Sequence, residues 1–491
     1  MWNRLNKSMM FCQMMFGLSF YGVMVILTRF FLEELNYNEA DTMMVVGAFS
    51  AIGPLFAIAG GFIADKFLGA YRSLTIAYGG FGSGYVCLIL GASTTNVSLA
   101  LVGIALASYS RGLMSPSYPS LYKRTFGSQE DFEKGYPINY SVNNIGAFIG
   151  QYMFPFFVGY IAYNGSFAIS AVLAFLAFGM LIINNKGLKT VGADIDQAPV
   201  STVKWVQFLA TSAAMIALVF WMFSNMDIGK YVVYGIGGAA LLYFASLMAK
   251  AEKGEALRMG TILIMVFLTT AFFVYYGQMM TSMNMVALNT MEGALFGVIP
   301  FEPEAAMAMN PLWCMVAGPI IAWIFATLEK RNIHMQTATK VAWSFILTAA
   351  AFGVLTMAVK AVGSDIVIRP EVFFVVHGFL AFGEVIVGSM VVAFILSVTP
   401  KSIENFSVSL FSVAIALSGI VGAVISGNIA LAEGQEISQQ FVNQTYGDFY
   451  MLLTQLAVVM VLVALGASVV IRKMLAKSEE ADKESGVPAE A

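Results

Sequence analysis

Fourteen stretches of apolar residues, each 18 or more residues long, recur along the chain between short polar segments. A helix of about 20 residues crosses the hydrocarbon core of a bilayer, so each stretch predicts one membrane-spanning helix. The predicted spans are residues 9–32, 42–64, 73–93, 97–118, 138–163, 166–184, 205–223, 231–249, 260–283, 311–328, 338–360, 371–397, 405–431 and 450–472. The pattern therefore predicts an all-α membrane protein with 14 transmembrane helices.

The predicted spans are grouped as six, two and six. We expect an N-terminal six-helix half at 1–184, a polar cytoplasmic linker at 185–204 and an extra helix pair at 205–249. A C-terminal six-helix half at 250–475 and a disordered, charged tail at 476–491 follow. Two such halves are typical of transporters that bind solute near the midplane and rock around it.

Basic residues are distributed unevenly between the two sets of loops. If the N-terminus is cytoplasmic, most Lys and Arg residues fall in cytoplasmic loops. The opposite side keeps only four of them, Arg29, Lys230, Lys360 and Arg369. Cytoplasmic loops of membrane proteins carry an excess of Lys and Arg, so we predict that both termini are cytoplasmic.

The composition excludes several classes of protein. Only 11% of the residues are charged, against about 25% in a soluble domain. The three cysteines and two histidines are too scattered for a disulfide or metal site, and no nucleotide-binding P-loop is present. We expect no metal, no cofactor and no nucleic-acid partner. The helices show no nucleophile–base pair, so we predict a carrier rather than an enzyme.

A short polar loop, GGFIADKFLGAYR at residues 60–72, joins the second and third spans. Small residues let helices approach closely, and Asp65 could cap a helix end or pair with a base. In this position the segment resembles the signature loop of the major facilitator superfamily. The resemblance implies a gating loop that contains Gly61, Asp65, Gly69 and Arg72.

Further motifs, in order from about residue 13 to 430, resemble the proton-coupled oligopeptide transporter family. They are SFYG at 19–22, YSVNNIGA at 140–147, Gln278, NPL at 310–312, GEVIV at 383–387 and TPK at 399–401. The resemblance implies a major facilitator fold and a multi-pass protein of the bacterial inner membrane, whose members often carry an extra helix pair. The substrate-binding positions that it implies are Tyr21, Tyr140, Asn144, Gln278, Asn310 and Glu384.

The chain departs from this family at most of its charged positions in the N-terminal half. The family motif E-x-x-E-R in the first span is matched by Gln13, Phe16 and Gly17, and the fourth-span lysine by Ser115. Two residues that form a gate in the family are matched by Met24 and Gly277. Their joint loss avoids leaving one unpaired charge inside the membrane. These losses leave a peptide carboxylate without its usual partners, unless Arg29 or Arg111 replaces them.

Glu384 lies near the middle of an apolar span. An ionisable residue there is costly and is by default a functional candidate that faces a cavity. The resemblance implies that Glu384 holds the amino group of the substrate, and it could also take up and release a proton. His377, seven residues earlier, is a second proton-coupling candidate or an interfacial histidine. The alternative for Glu384 is a structural carboxyl bonded to a neighbouring helix.

These features predict a secondary transporter of small peptides or peptide-like metabolites that works by alternating access as a proton symporter. Its partners would be the substrate, protons and membrane lipid, and we expect a monomer. One alternative is a facilitator-type carrier of a siderophore-like or amine-bearing solute without standard proton coupling. A second alternative is a transport-inactive membrane sensor.

Overall fold

The structure is a computed structural model that describes residues 2–333, 335–399, 403–432 and 434–485. The first part of the chain forms helices α1 (Arg4–Arg29), α2 (Glu39–Ile63), α3 (Ala70–Thr94), α4 (Val97–Arg124), α5 (Gln129–Ile183), α6 (Asn185–Val191), α7 (Asp194–Gln197), α8 (Thr202–Ser224) and α9 (Met226–Met248). The second part forms α10 (Lys253–Gly277), α11 (Ser282–Thr290), α12 (Met309–Lys330), α13 (Thr337–Lys360), α14 (Pro370–Val398), α15 (Glu404–Ser426), α16 (Gln439–Phe441) and α17 (Gly447–Ser485). A small antiparallel hairpin pairs β1 (Ala294–Leu295) with β2 (Ile299–Pro300).

Thirteen helices of the described chain are long and apolar enough to cross a membrane. One of them covers 54 residues of α5, or about 80 Å at 1.5 Å per residue, which is far more than one crossing. Its backbone leaves the helical region at Ala162, where φ is 56°. That kink divides α5 where the sequence predicted a boundary between two spans, so the expected all-α fold with 14 crossings is confirmed.

Local sequence determines where several of these helices begin. A polar residue precedes each of five helices, and its side chain accepts a hydrogen bond from a backbone N–H in the first turn. These residues are Asn3 before α1, Asn38 before α2, Asn96 before α4, Ser128 before α5 and Ser201 before α8. Such caps satisfy donors that have no partner within the helix. The polar residues between apolar stretches therefore define the helix ends.

Buried apolar side chains form two large clusters. One consists mainly of residues from α1 to α9, and the other mainly of residues from α10 to α17. The helix pair α8–α9 lies beside both groups: Tyr109 of α4 bonds Ser212 of α8 at 2.5 Å, and Gly237 of α9 packs against Leu417 of α15. We refer to α1–α5 as the N-half and α10–α17 as the C-half.

The chain after the last predicted span is not disordered where the structure describes it. Helix α17 continues to Ser485, so the expected disordered tail at 476–491 is wrong for residues 476–485. Arg258 of α10 forms an ion pair with Asp482 and a 2.8 Å hydrogen bond to Ser478. These contacts hold the extended helix against the C-half. The remaining tail residues, 486–491, lie outside the described residues.

The two halves contact each other most extensively at one end of the bundle. We call the end that carries β1–β2 the hairpin side, and the end that carries the α2–α3 turn and residues 185–201 the linker side. Among the residues that the structure describes, five polar contacts join the halves on the hairpin side. They are Arg29–Glu304 (3.4 Å), Asn284–Thr28 (2.9 Å), Asn289–Glu39 (2.8 Å), the Leu431 amide to Glu39 (2.7 Å) and Tyr152 to the Pro300 carbonyl (2.7 Å).

Helices α2 and α15 separate toward the linker side. They touch where Gly47 meets Ala423 and Gly419 meets Ala51, because residues without long side chains allow close approach. Beyond this contact, a cavity of about 710 Å³ opens between α2, α4, the linker and α15. We call this cavity the vestibule. The halves are therefore joined by polar contacts on the hairpin side, which we call the closed side, and separated by the vestibule on the linker side, which we call the open side.

Candidate transport site

A polar cluster in the C-half surrounds Glu384. The Oε2 atom of Glu384 accepts hydrogen bonds from Asn310 Nδ2 and from Cys314 Sγ, both at 3.2 Å. Tyr276 donates to Asn310 Oδ1 at 3.3 Å and also interacts with Glu384. Asn310 and Cys314 are one turn apart on α12, so both face the carboxyl group. Glu384 itself is only partly buried.

Residues of the N-half face this cluster across the centre of the bundle. Tyr21 of α1 interacts electrostatically with Glu384 and also with Arg111 of α4. Tyr140 of α5 is 44% exposed and interacts with Glu384 and Cys314. The structure therefore brings four of the predicted binding positions, Tyr21, Tyr140, Asn310 and Glu384, to one region between the halves.

The side chains of two other predicted binding residues form hydrogen bonds within the protein. Gln278 has no exposed surface, and its amide bonds the carbonyls of Val274 and Gly422 and the hydroxyls of Ser282 and Ser426 at 2.7–3.2 Å. Asn144 is 7% exposed and donates to the Tyr140 carbonyl one turn earlier. In this conformation Gln278 fastens α10 to α15 and has no surface that a substrate could contact.

His377 is buried away from the expected proton partner. It is 1% exposed, and its Nδ1 atom has no hydrogen-bond partner in the described part of the chain. Seven residues separate it from Glu384 on α14, or about 10 Å along the helix axis. Direct proton exchange between these two side chains is therefore too long a step in this structure.

Close helix packing explains one of the family departures. A Cβ atom on Gly17 would lie 2.5 Å from the Asn143 carbonyl and 3.1 Å from the Ala147 amide nitrogen. On the opposite surface, a Cβ atom on Gly146 would lie 2.6 Å from the Met14 carbonyl. The backbones of α1 and α5 thus fill the space that the family arginine would need. Ser115, in contrast, is exposed and lines the vestibule.

The predicted gating loop is held by the linker and not by Asp65. Asp65 is exposed and no described residue forms an ion pair with it, so its part in gating stays a prediction. Arg72 instead donates to the carbonyls of Ile195 and Ala198 at 2.9 and 2.7 Å. Gly69 adopts φ 84° and lies directly against the Asp196 carboxylate, so a larger residue would be strained there. Gly61 faces Pro116 of α4 across the vestibule wall.

Asp196 performs the capping function that the sequence assigned to Asp65. Its side chain is fully buried and accepts from the backbone amides of Tyr71 at 2.8 Å and Ala193 at 3.0 Å. Arg124 lies 3.6 Å away. A carboxylate near a helix N-terminus is favourable, so Asp196 fixes the linker to the start of α3.

We expect Asp196→Ala to lower the free energy of unfolding by about 1–3 kcal/mol, because the substitution leaves one buried and one partly buried amide without an acceptor. Thermal unfolding in detergent measures the change. Asp194→Ala is the matched control, since Asp194 is exposed and lies in the same short helix. Equal melting temperatures for both variants would contradict this role of Asp196.

An ion pair between the halves was not expected from the sequence. Arg29 lies 2.7 Å from Glu33 and 3.4 Å from Glu304, and Glu304 is 1% exposed. Met24, which matches one member of the family gate, is 1% exposed in the N-half core, while the space around Gly277 is open. The charged contact across the hairpin side is therefore made by different residues in this chain.

The sequence contains signals for some site residues that lie outside the family motifs. Cys314 follows Asn310 by four residues and Tyr276 precedes Gln278 by two, so both lie near motif positions. Asp196 belongs to an Asp-x-Asp segment, a pattern that favours a helix start. Glu304 had no local signal, because its partner Arg29 is 275 residues distant.

Comparison with solved structures defines the class of the fold. A bacterial homologue of the human drug peptide transporters PepT1 and PepT2 superposes with a TM-score of 0.83 at 21% identity, covering 96% of this chain and 98% of that one. The tetrameric protein PepTSo2 gives 0.84 at 21% identity, with 96% and 99% covered. A POT family transporter in complex with 5-aminolevulinic acid gives 0.82 at 19% identity, with 95% and 96% covered. The chain therefore has the major facilitator fold, as the sequence predicted.

The POT family model matches residues 62–444, which is more than half of the chain. This protein therefore belongs to the POT family, as the sequence motifs predicted. It is 24% identical to dipeptide and tripeptide permease A of Pectobacterium carotovorum, over 91% of this chain and 88% of the relative. The permease A of Chromobacterium violaceum is 25% identical, over 83% and 81%.

Proposed function

We propose that this protein carries small peptides or peptide-like metabolites across the membrane by alternating access. The observation that carries the proposal is the partly exposed Glu384, which lies between two halves that are closed at one end and open at the other. Relatives over most of the chain are dipeptide and tripeptide permeases. We find no observation that favours a sensor or a carrier of siderophore-like compounds.

In this mechanism the two halves rock about the contact between α2 and α15. Opening of the hairpin side requires that the five polar contacts across it break, while the vestibule closes on the linker side. Glu384 receives the amino group of the substrate. Asn310, Cys314 and Tyr276 hold the side-chain carboxyl group of Glu384 in place. Tyr21 and Tyr140 complete the wall from the N-half.

We further propose that protons drive uptake and that Glu384 is the group that binds them. The family's other proton-handling positions are occupied by Gln13, Phe16 and Gly277, none of which can titrate. Gln13 donates to Asn143 of α5 at 3.0 Å, and the Phe16 ring lies against that of Phe81 of α3 with centroids 5.4 Å apart. These two positions therefore serve helix packing in this chain.

We propose that the protein lies in the inner membrane of a bacterium, with the linker side and both termini in the cytoplasm, because cytoplasmic loops carry an excess of Lys and Arg. We expect a reporter fused to the C-terminus to be cytoplasmic, and a periplasmic reporter would contradict this orientation. We propose that a single chain is the transport unit, because the site is built within one chain, although PepTSo2 has been crystallised as a tetramer.

Uptake by reconstituted vesicles tests the proposed function. Purified protein in liposomes should accumulate labelled dialanine, trialanine or 5-aminolevulinic acid above the outside concentration when an inward proton gradient is imposed. A sensor would bind such compounds without moving them. If the substrate only equilibrates across the membrane and the proton gradient has no effect, the proposal of proton coupling is rejected and the carrier function stands.

A further inference from the structure

A cavity of about 560 Å³ lies outside the transport site, on the linker side, between the start of α1 and the end of α5. The basic residues Arg4 and Lys7 form one part of its wall. The aromatic residues Trp2 and Phe11 and, from α5, Met180 form another part. The cavity therefore joins a cationic surface to an apolar one.

The position of this cavity matches the boundary between water and lipid. Arg4, Lys7 and Phe11 follow one another at spacings of four or fewer residues, so they share one face of α1. The apolar part of that helix begins at residue 9, so the two basic residues precede the membrane and Phe11 lies within it. Trp2 is 38% exposed and packs against Phe126, with ring centroids 6.1 Å apart. Tryptophan is enriched at membrane–water interfaces, which supports this placement.

The positive charges at the cavity are available to a ligand. Arg4 and Lys7 are exposed, and no ion pair within the described part of the chain involves either of them. Gly187 of α6 packs against Leu5, where a Cβ atom would lie 2.8 Å from Cδ2. This contact brings the exposed Lys186 to the same end of α1. A negatively charged group at this place would meet several cations.

We propose that the cavity binds an anionic phospholipid, with the phosphate on Arg4 and Lys7 and an acyl chain along Phe11 and Met180. Basic pockets between membrane helices bind such head groups, and a guanidinium can donate two parallel hydrogen bonds to a phosphate. Asn3 already caps the first turn of α1, so the two basic side chains supply the attraction. The site does not depend on the proposed transport function, because it lies at the outer surface of the N-half.

Binding of two lipids with the same acyl chains tests the proposal. Dioleoyl phosphatidylglycerol carries a net negative charge, and dioleoyl phosphatidylcholine carries none. Native mass spectrometry of the full chain in detergent measures the affinity for each lipid. We expect the wild type to prefer phosphatidylglycerol. The double variant Arg4→Gln/Lys7→Gln should bind it roughly ten- to thirty-fold more weakly, with little change for phosphatidylcholine.

Lys330→Gln/Arg331→Gln is the matched control, because it removes two exposed basic residues at the linker-side end of α12, outside the cavity. This variant should keep the wild-type affinity for phosphatidylglycerol. The melting temperature of each variant without lipid shows whether it is folded. Equal binding of the two lipids by the wild type would overturn the proposal, and so would an unchanged affinity in Arg4→Gln/Lys7→Gln.

Inorganic phosphate in place of the lipid separates the two possible sources of the anion. It shares the charge of the head group but cannot use the apolar wall. We therefore expect phosphatidylglycerol, and not millimolar phosphate, to raise the melting temperature of the wild type. An equal rise with phosphate alone would overturn the assignment of a lipid.

Discussion

Glu384→Gln should abolish concentrative uptake in vesicles while leaving the protein folded and inserted. The glutamine keeps the size and can still accept from Asn310 and Cys314, but it cannot carry charge or release a proton. Removal of one partner of a buried charge pair costs about 3–5 kcal/mol, so we expect the rate of accumulation to fall roughly a hundredfold or more. Time courses of uptake under an inward proton gradient measure this.

Exchange without a gradient separates the two roles of the carboxyl group. If Glu384 only carries the proton, the variant should still exchange labelled for unlabelled substrate at equal concentrations. If it binds the amino group, exchange should be lost as well. Glu436→Gln is the matched control, because Glu436 is exposed on a loop of the C-half. Wild-type accumulation by Glu384→Gln would reduce this residue to a packing role.

Glu304→Gln should shift the protein toward the conformation that is open on the hairpin side. In the wild type, Arg29 and Glu304 join the halves there, and Glu304 is almost fully buried. A hydrogen bond to a charged group contributes about 1.5–3 kcal/mol. The closed-to-open ratio should therefore fall roughly ten- to a hundred-fold, with reduced uptake as a consequence.

Distances between labels on the two halves measure this shift. Tyr160 and Val298 are 86% and 77% exposed on the hairpin side, so cysteines at these positions can carry spin labels after the three native cysteines are replaced. We expect longer distances in Glu304→Gln than in the parent. Glu302→Gln, which removes a nearby charge that does not pair with Arg29, should keep the parent distribution. If Glu304→Gln also keeps the parent distance distribution, the ion pair between Arg29 and Glu304 does not control closure of the hairpin side.

The sequence predicted the membrane crossings well because the thickness of the bilayer dictates them. Each span needs about 20 apolar residues, and this requirement is visible without knowledge of neighbouring helices. The kink at Ala162 lies next to the expected boundary at residues 163–166 for the same reason. The tail was predicted poorly, since its charged residues suggested disorder. Its helix is stabilised by Arg258, which is more than 200 residues distant in sequence.

The candidate site was predicted only in part, because residue type does not show which way a helix faces. Asn310 bonds Glu384, and Tyr21 and Tyr140 lie in the same region, while the role of all four in binding stays a prediction. Gln278 matches a motif equally well, yet its amide forms hydrogen bonds with four groups of the protein itself. Asp196 and Glu304 act through partners in distant segments, and no local pattern in a single sequence reports such pairs. Family membership and the helix count were thus more predictable than the contacts that connect the halves.

The contact between α1 and α5 also limits how this carrier can be altered. Gly17 meets the α5 backbone so closely that even a methyl group would push the two helices apart. An arginine at position 17 therefore cannot be introduced by one exchange, and a redesign would have to rebuild both helix surfaces together. Ser115 has open space in front of it, so Ser115→Lys needs no such rebuilding. Attempts to give this protein the recognition chemistry of its relatives should therefore begin on α4.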